Sequence, residues 1–268
     1  MLDDGAVEIG AETRAIVTGA TKGIGRAISL ELAGRGARVG LIARNEEEVQ
    51  ALAGQIGERA IPLAADVSDR EAIAGAVASF IEQAGGVEIL VANAGIARYE
   101  PFAEQDPEEV ERMVMTNVLG TINTVRAGLL PLLDRGRGHV VVVSSGAALR
   151  AFPWAAVYGA TKAANKGFAE ALRHELSGTG VSVTTVMPGE VKTSLHDEMK
   201  QIPDWRNSKD AIPAEIVAER TVDAIERDRR EVHVPGQVKL LALNDMAPGL
   251  VDRLLAWIRG GAAAPRRY

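Results

Sequence analysis

The sequence contains no cysteine. Disulfide frameworks and thiol nucleophiles are therefore excluded. Histidine is scarce as well: four residues lie scattered through 268, with no pairing of the HExxH kind, so no metal centre is expected. Aromatic residues make up 4% of the chain against 28 glycines, which suits a strand–loop–helix protein with many close backbone contacts. There is no excess of positive charge. The formal net charge of −6 offers no broad basic surface for nucleic acid, although a local basic pocket for a phosphate is compatible with it. No apolar run approaches the roughly 20 residues that cross a bilayer, so no integral membrane segment is expected. The acidic start, Met1-Leu2-Asp3-Asp4, lacks the basic-then-apolar order of a signal peptide, and a cytoplasmic location is the expectation.

What is present is a soluble globular composition, 47% hydrophobic and 25% charged. Short apolar runs alternate with longer stretches of helical periodicity, the pattern of repeated βαβ units. Strands are predicted at Arg14–Thr18, Arg38–Ala43, Ala60–Ala64, Ile89–Ala92, Gly138–Ser144, Val181–Met187 and Glu231–Val234. Helices are predicted at Gly23–Gly34, Glu46–Gly57, Arg70–Gly85, Pro107–Asp134, Ala155–Thr179 and Ala214–Arg227. Ser68 and Asp69 supply N-cap chemistry before the third helix, and Gly34, Gly57 and Gly85 act as stops. Ile89-Leu90-Val91-Ala92 and the four valines 140–143 do not alternate with polar residues, so helices should cover both faces of the sheet. The expected fold is α/β: one Rossmann-like, doubly wound parallel sheet over residues 1–268. Within it, 1–12 forms an N-terminal arm, 194–213 a loop over the substrate, 238–259 an apolar C-terminal segment and 260–268 a frayed tail.

Thr18-Gly19-Ala20-Thr21-Lys22-Gly23-Ile24-Gly25 directly follows the first strand and opens the first helix. Backbone N–H groups and the helix dipole favour a pyrophosphate at that place, and glycines allow its close approach. The spacing alone is also satisfied by a tight turn with no ligand. The strand and helix around it make a nucleotide the better account.

Gly-xxx-Gly-x-Gly spacing resembles that of the short-chain dehydrogenase/reductase family, and further motifs recur in order over nearly the whole chain. Asp66-Val67 is similar to the family's adenine contact, and Asn93-Ala94-Gly95 to its Asn-Ala-Gly motif, with Ala92 where relatives often have a second Asn. The second strand ends Ala43-Arg44. An acidic residue at position 43 would accept hydrogen bonds from the adenosine ribose and repel a 2′-phosphate; Ala43 followed by Arg44 resembles the NADP-preferring members. Arg44 and Lys22 together make a charge-assisted clamp for that phosphate, whereas either alone is equally at home as a solvated charge. The cofactor expected is NADP(H). Pro188-Gly189-Glu190-Val191-Lys192-Thr193 resembles the family's Pro-Gly cofactor turn, with Val191 backbone and the Thr193 hydroxyl on the carboxamide; a bare Pro-Gly otherwise marks only a turn.

Tyr158 and Lys162 stand four apart, which puts both on one face of a helix. A phenol with an ordinary pKa of about 10 is a poor base near neutrality, and a neighbouring ammonium and the positive nicotinamide of an oxidised cofactor favour its ionised form. Tyr158 is then the expected general acid/base, with Lys162 lowering its pKa and, by resemblance, binding the cofactor ribose. Ser145 matches the family's substrate-orienting serine; Ser144 is read as a strand-end hydrogen bonder, and loop capping accounts for either. Asn117 falls where the family places a helix asparagine that supports the lysine through water.

Phe152, Trp154 and Trp205 offer apolar surface to a substrate, and Arg98, Arg150 and His196 polar recognition; core packing or exposure accounts for each singly. Val238–Ile258 is read as core or subunit packing. The resemblance implies a homodimer or homotetramer acting on a small carbonyl or alcohol substrate. The reading is an enzyme interconverting ketone or aldehyde with alcohol; a 3-oxoacyl-thioester reductase and a non-catalytic NADP(H) sensor are the alternatives.

Overall fold

The computed structural model describes residues 6–196, 211–249 and 253. Seven parallel strands form the sheet: β1 (Arg14–Thr18), β2 (Arg38–Ala43), β3 (Ala60–Ala64), β4 (Ile89–Ala92), β5 (Gly138–Val143), β6 (Val181–Pro188) and β9 (Glu231–Val234). Their order is β3-β2-β1-β4-β5-β6-β9. The order reverses at β1 and β4, in register Ala15 to Ile89 and Val17 to Val91. In an open sheet this switch point leaves a crevice at the carboxyl ends of the strands. A separate parallel pair, β7 (Val191–Lys192) and β8 (Ile212–Pro213), lies beyond β6.

The continuous apolar strands bury both faces, and successive residues serve different cores. Val17, Leu41, Val91 and Val141 pack with Ile28 and Leu32 of α1 (Gly23–Gly34) and Val217, Val222 and Ile225 of α7 (Ala214–Glu226). Ile16, Ile42, Leu90 and Val140 face the other way, toward α3 (Arg70–Ala84), α5 (Gly120–Arg135) and α6 (Ala156–Glu175). Gly40 lets Phe80 of α3 lie flat on β2; a Cβ there would stand 2.6 Å from the ring. Among the described residues, no helix is long and apolar enough to cross a membrane.

Side-chain caps open three of the helices. Asp69 accepts from the N–H groups of Glu71 and Ala72 at the head of α3. Asn45 does so from Glu48 in α2 (Glu46–Ile56), and Asp106 from Glu108 in α4 (Pro107–Val114). Ser68 is not a cap: its N–H and hydroxyl both donate to Asp66. Gly34 is not the stop of α1 either, because it still lies in the helix and the positive φ of 105° falls at Gly36. The helix expected from Pro107 to Asp134 is interrupted by a π-helical turn at Met115–Leu119. Helix α6 ends at Glu175 rather than Thr179 because the chain turns through Gly178 and Gly180, both at positive φ.

At the amino edge of the sheet, opposite the crevice, buried Glu88 accepts from the backbone N–H and guanidinium of Arg14 and pairs with Arg135 at 2.7 Å.

Candidate active site

The turn from β1 into α1 is a cradle made by glycine. Gly19 and Gly23 have φ of 64° and 51°, which side chains rarely tolerate. A Cβ on Gly25 would be driven into the Gly19 carbonyl oxygen and Asn93 Nδ2, and one on Gly19 would reach Ala94 Cα at 2.9 Å. The turn is braced from β4. Asn93 Nδ2 donates to the Thr18 and Gly19 carbonyls, and Thr18 Oγ1 accepts from the N–H groups of Asn93 and Ala94 at 3.1 and 3.3 Å. Unlike α2, α3 and α4, helix α1 has no side-chain cap and no acidic residue in its first turn. Its first N–H groups are left to an anion, so the cradle fits a bound pyrophosphate.

Asp66 is fixed by Ser68, and the Val67 carbonyl accepts from Asn123 of α5 at 3.1 Å. Pro188 pairs with Val234, Gly189 N–H donates to the Val234 carbonyl, and Val191 is buried in the β7–β8 pair. Thr193 stands over the glycine turn, where its methyl lies 3.0 Å from the Cβ position of Gly23. Arg44, at the end of β2, is exposed and makes no ion pair among the described residues. Lys22 pairs with Glu48 at 2.8 Å.

The second half of the crevice is built on α6. Tyr158 and Lys162 are 6% and 5% exposed, so both polar groups sit in a low-dielectric site. Lys162 Nζ donates to the Val143 carbonyl at 3.1 Å, lies 5.9 Å from the Tyr158 ring centroid and sits beside Gly95. Ser144 Oγ donates to the Lys162 carbonyl, fastening α6 to the end of β5. Ser145 Oγ accepts from Ala147 N–H at 3.1 Å and also hydrogen-bonds to the Tyr158 phenol, so capping and the role beside Tyr158 are compatible. Tyr99 meets Tyr158 edge-on, centroids 5.6 Å apart.

Fully buried Asn117 lies in the π-helical turn. Its amide donates to the Ile96 carbonyl and Thr161 Oγ1 at 2.9 and 3.0 Å, and its Oδ1 accepts from Ile96 N–H at 2.8 Å. It thereby ties the segment after β4 to α6. The widened turn brings this side chain inward, a frequent use of π-helical turns at functional sites.

The family model for short chain dehydrogenase matches residues 13–203. The chain belongs to the short-chain dehydrogenase family. Glycine betaine reductase ATRR from Emericella nidulans is 39% identical over 184 residues, 68% of this chain; the chain spans 14% of that relative's length. The 3-ketoacyl-(acyl-carrier-protein) reductase from Brucella melitensis, solved with NADH, has 26% identity and a TM-score of 0.79, covering 85% of this chain and 98% of that one. The alcohol dehydrogenase from the archaeon Thermococcus sibiricus, solved with 5-hydroxy-NADP, has 27% identity and a TM-score of 0.73, covering 82% and 94%.

In this short-chain dehydrogenase the glycine turn, the Asn-Ala-Gly segment, Asn117, Ser145, Tyr158, Lys162 and the Pro-Gly turn all lie along one crevice edge of the sheet. Burial pushes the Tyr158 phenol up to about 12, against the hydrogen bond from Ser145, and the Glu190 carboxylate adds to the rise. Burial also takes Lys162 down to about 8. Desolvation is the main cause of both shifts, since burial disfavours each charged form.

Trp154 has a φ of 68° and packs with Phe152 and Val157 against the cluster containing Tyr158. Its carbonyl accepts from Glu100 N–H at 3.0 Å. Arg98 pairs with Glu109, and Arg150 donates to Asn244. Trp205 and the His196 side chain lie outside the described residues, as do the last residues of the apolar C-terminal segment. Sequence reading overlooked Thr161, Tyr99 and Glu48. A Thr three positions after the tyrosine is a faint signal for the first, and none marked the others.

Proposed function

We propose that the chain is an NADP(H)-dependent oxidoreductase interconverting a ketone or aldehyde with an alcohol, with Tyr158 as general acid/base. The observation that carries this reading is the burial of Tyr158 and Lys162 together beside Ser145, with Lys162 Nζ next to Gly95 behind the glycine cradle. A nucleotide-sensing protein needs the cradle but not this proton-transfer set, which favours the enzyme. Relatives solved with NADH and with 5-hydroxy-NADP support a nicotinamide cofactor, and exposed Arg44 after Ala43 supports NADP(H).

Bound in the crevice, the nicotinamide would supply or accept hydride. The residues of the chain do the rest. Gly19, Thr21, Gly23, Ile24 and Gly25 hold the pyrophosphate, and Lys22 and Arg44 face the 2′-phosphate. Asp66 and Val67 border the adenine, while Asn93, Ala94 and Gly95 form the crevice floor. Pro188, Gly189, Val191 and Thr193 hold the carboxamide end. Ser145 orients the substrate oxygen, and Tyr158 gives its hydroxyl proton to that oxygen in reduction or takes it back in oxidation. Lys162 holds the ribose and sets positive charge beside the phenol. Asn117 keeps α6 and the segment after β4 at a fixed separation.

A 3-oxoacyl thioester is the favoured second substrate class, supported by the likeness to a 3-ketoacyl-(acyl-carrier-protein) reductase. By family resemblance we also read the chain as a cytoplasmic homodimer or homotetramer.

Tyr158→Phe tests the central role. The variant should retain NADPH binding by fluorescence titration while turnover, followed by NADPH absorbance over a panel of ketones and oxoacyl thioesters, falls by at least 10²-fold. A fully active purified variant would remove Tyr158 from the reaction.

A further inference from the structure

Helix α2 opens with Glu46-Glu47-Glu48, so three carboxylates stand immediately after Arg44. The Asn45 side chain accepts from Glu48 N–H at 3.0 Å. That is one half of a capping box; in the complete motif the N3 carboxylate returns to the N–H of the cap residue. Here it is directed elsewhere. The Glu48 carboxylate receives Lys22 Nζ at 2.8 Å, with the Lys22 side chain 63% exposed and that of Glu48 35% exposed. Hydrogen bonds from Lys22 and, to a lesser extent, the Thr21 hydroxyl hold the Glu48 carboxyl below its ordinary range. A groove lined by Thr21, Lys22, Arg26, Glu48, Ala51 and Leu52 runs along this contact. Because β1 pairs with β2 in parallel, the turn carrying Lys22 and the α2 head carrying Glu48 are neighbours on the same edge of the sheet.

We infer that Glu48 is a specificity-determining residue: it occupies the cation that a 2′-phosphate would need, and so lowers the preference for phosphorylated over unphosphorylated cofactor. This deepens the NADP(H) reading and rests on it for the identity of the phosphate. With Lys22 engaged, more of the discrimination between cofactors falls to Arg44. A 2′-phosphate must displace the Glu48 carboxylate from Lys22 or share the ammonium with it, and a nearby carboxylate repels the phosphate either way. A cofactor with free ribose hydroxyls meets no such competition.

The test is calorimetric titration of NADPH and NADH into wild type, Glu48→Gln and Glu48→Gln/Lys22→Met. Gln keeps an N3 side chain that suits a capping box, and far-UV circular dichroism checks that α2 is retained. Glu48→Gln should bind NADPH roughly two- to five-fold more tightly, the range expected for release of an exposed ion pair, with NADH affinity unchanged. The gain should shrink at high salt and vanish in the double variant. Equal changes for both cofactors, or no change for NADPH, would overturn the role of Glu48. Failure of wild type to prefer NADPH is a different result. It counts against the NADP(H) reading, while the NADPH-to-NADH ratio of Glu48→Gln relative to wild type still decides the inference about Glu48.

Discussion

Lys162 combines two demands that pull on its proton in opposite directions. A ribose-binding, phenol-activating residue needs charge, and a buried one is penalised for it. Burial lowers its pKa from 10.5 to about 8. Between those values the unfolded chain holds a proton that the folded chain has lost, so stability rises with pH through the window; below about pH 8 the cost of the buried ammonium is present in full. Tyr158 acts oppositely and at higher pH. Raised from 10.0 to about 12, it keeps a proton that the unfolded chain releases, so stability falls with pH across that range. The two windows hardly overlap. Denaturant unfolding of wild type and Lys162→Met at about pH 7.5 and about pH 9.5 should therefore show wild type gaining on the variant by roughly 2 kcal/mol. A pH-independent difference would place the ammonium in a solvated environment. That the two residues share a site was legible from their spacing of four; that desolvation governs both was not, because it depends on what Tyr99, Val143 and Gly95 place around them.

At the scale of elements, Asn117 joins three pieces of chain that are distant in sequence. Replacing it with Ala would remove the partner of the half-buried Ile96 N–H and carbonyl and one partner of the buried Thr161 hydroxyl. With a buried orphan costing about 1–3 kcal/mol and a half-buried one less, Asn117→Ala should lose roughly 1–3 kcal/mol in urea unfolding, and kcat should fall as α6 loosens. Unchanged stability would mean that the bonds to Ile96 and Thr161 contribute little.

Apolar periodicity located the strands well, and all seven strand starts of the main sheet agree with the reading, because β-branched runs bounded by glycine and polar residues admit few alternatives. The π-helical turn left no mark in that periodicity; it arises from where Asn117 and Gly120 must pack. Gly34 looked like a stop for the same reason that it is tolerated: a single glycine near a helix end is ambiguous until the backbone angle of Gly36 is known. The glycine cradle was legible because steric exclusion acts locally. The ion pair between Lys22 and Glu48 was not, since it spans two turns and 26 positions. Nor was the left-handed backbone of Trp154, which its own residue type disfavours.

For the molecule as a whole, the proposed homo-oligomer has a physical basis in exposed apolar side chains. Phe102, Val114, Met115 and Leu119 are exposed, and Phe102, Val114, Val118 and Val157 border a shallow groove of about 420 Å³. Burying such side chains between copies contributes roughly 25 cal/mol per Å² of apolar area. Light scattering of the purified chain should give two or four times its 28.3 kDa mass. A monomer across the working concentration range would remove this part of the proposal.

The two rims of the sheet carry different burdens. Around the carboxyl rim, glycine, phenol and ammonium are arranged for ligands. At the amino rim, Glu88 is locked between Arg14 and Arg135, far from any reacting atom. Changes at the amino rim should therefore alter how long the folded protein persists in a cell, and changes at the carboxyl rim what it turns over. Such a division lets selectivity drift in descendants of this chain without endangering their persistence, and lets thermal robustness be engineered at Glu88 and its arginines without retuning the chemistry.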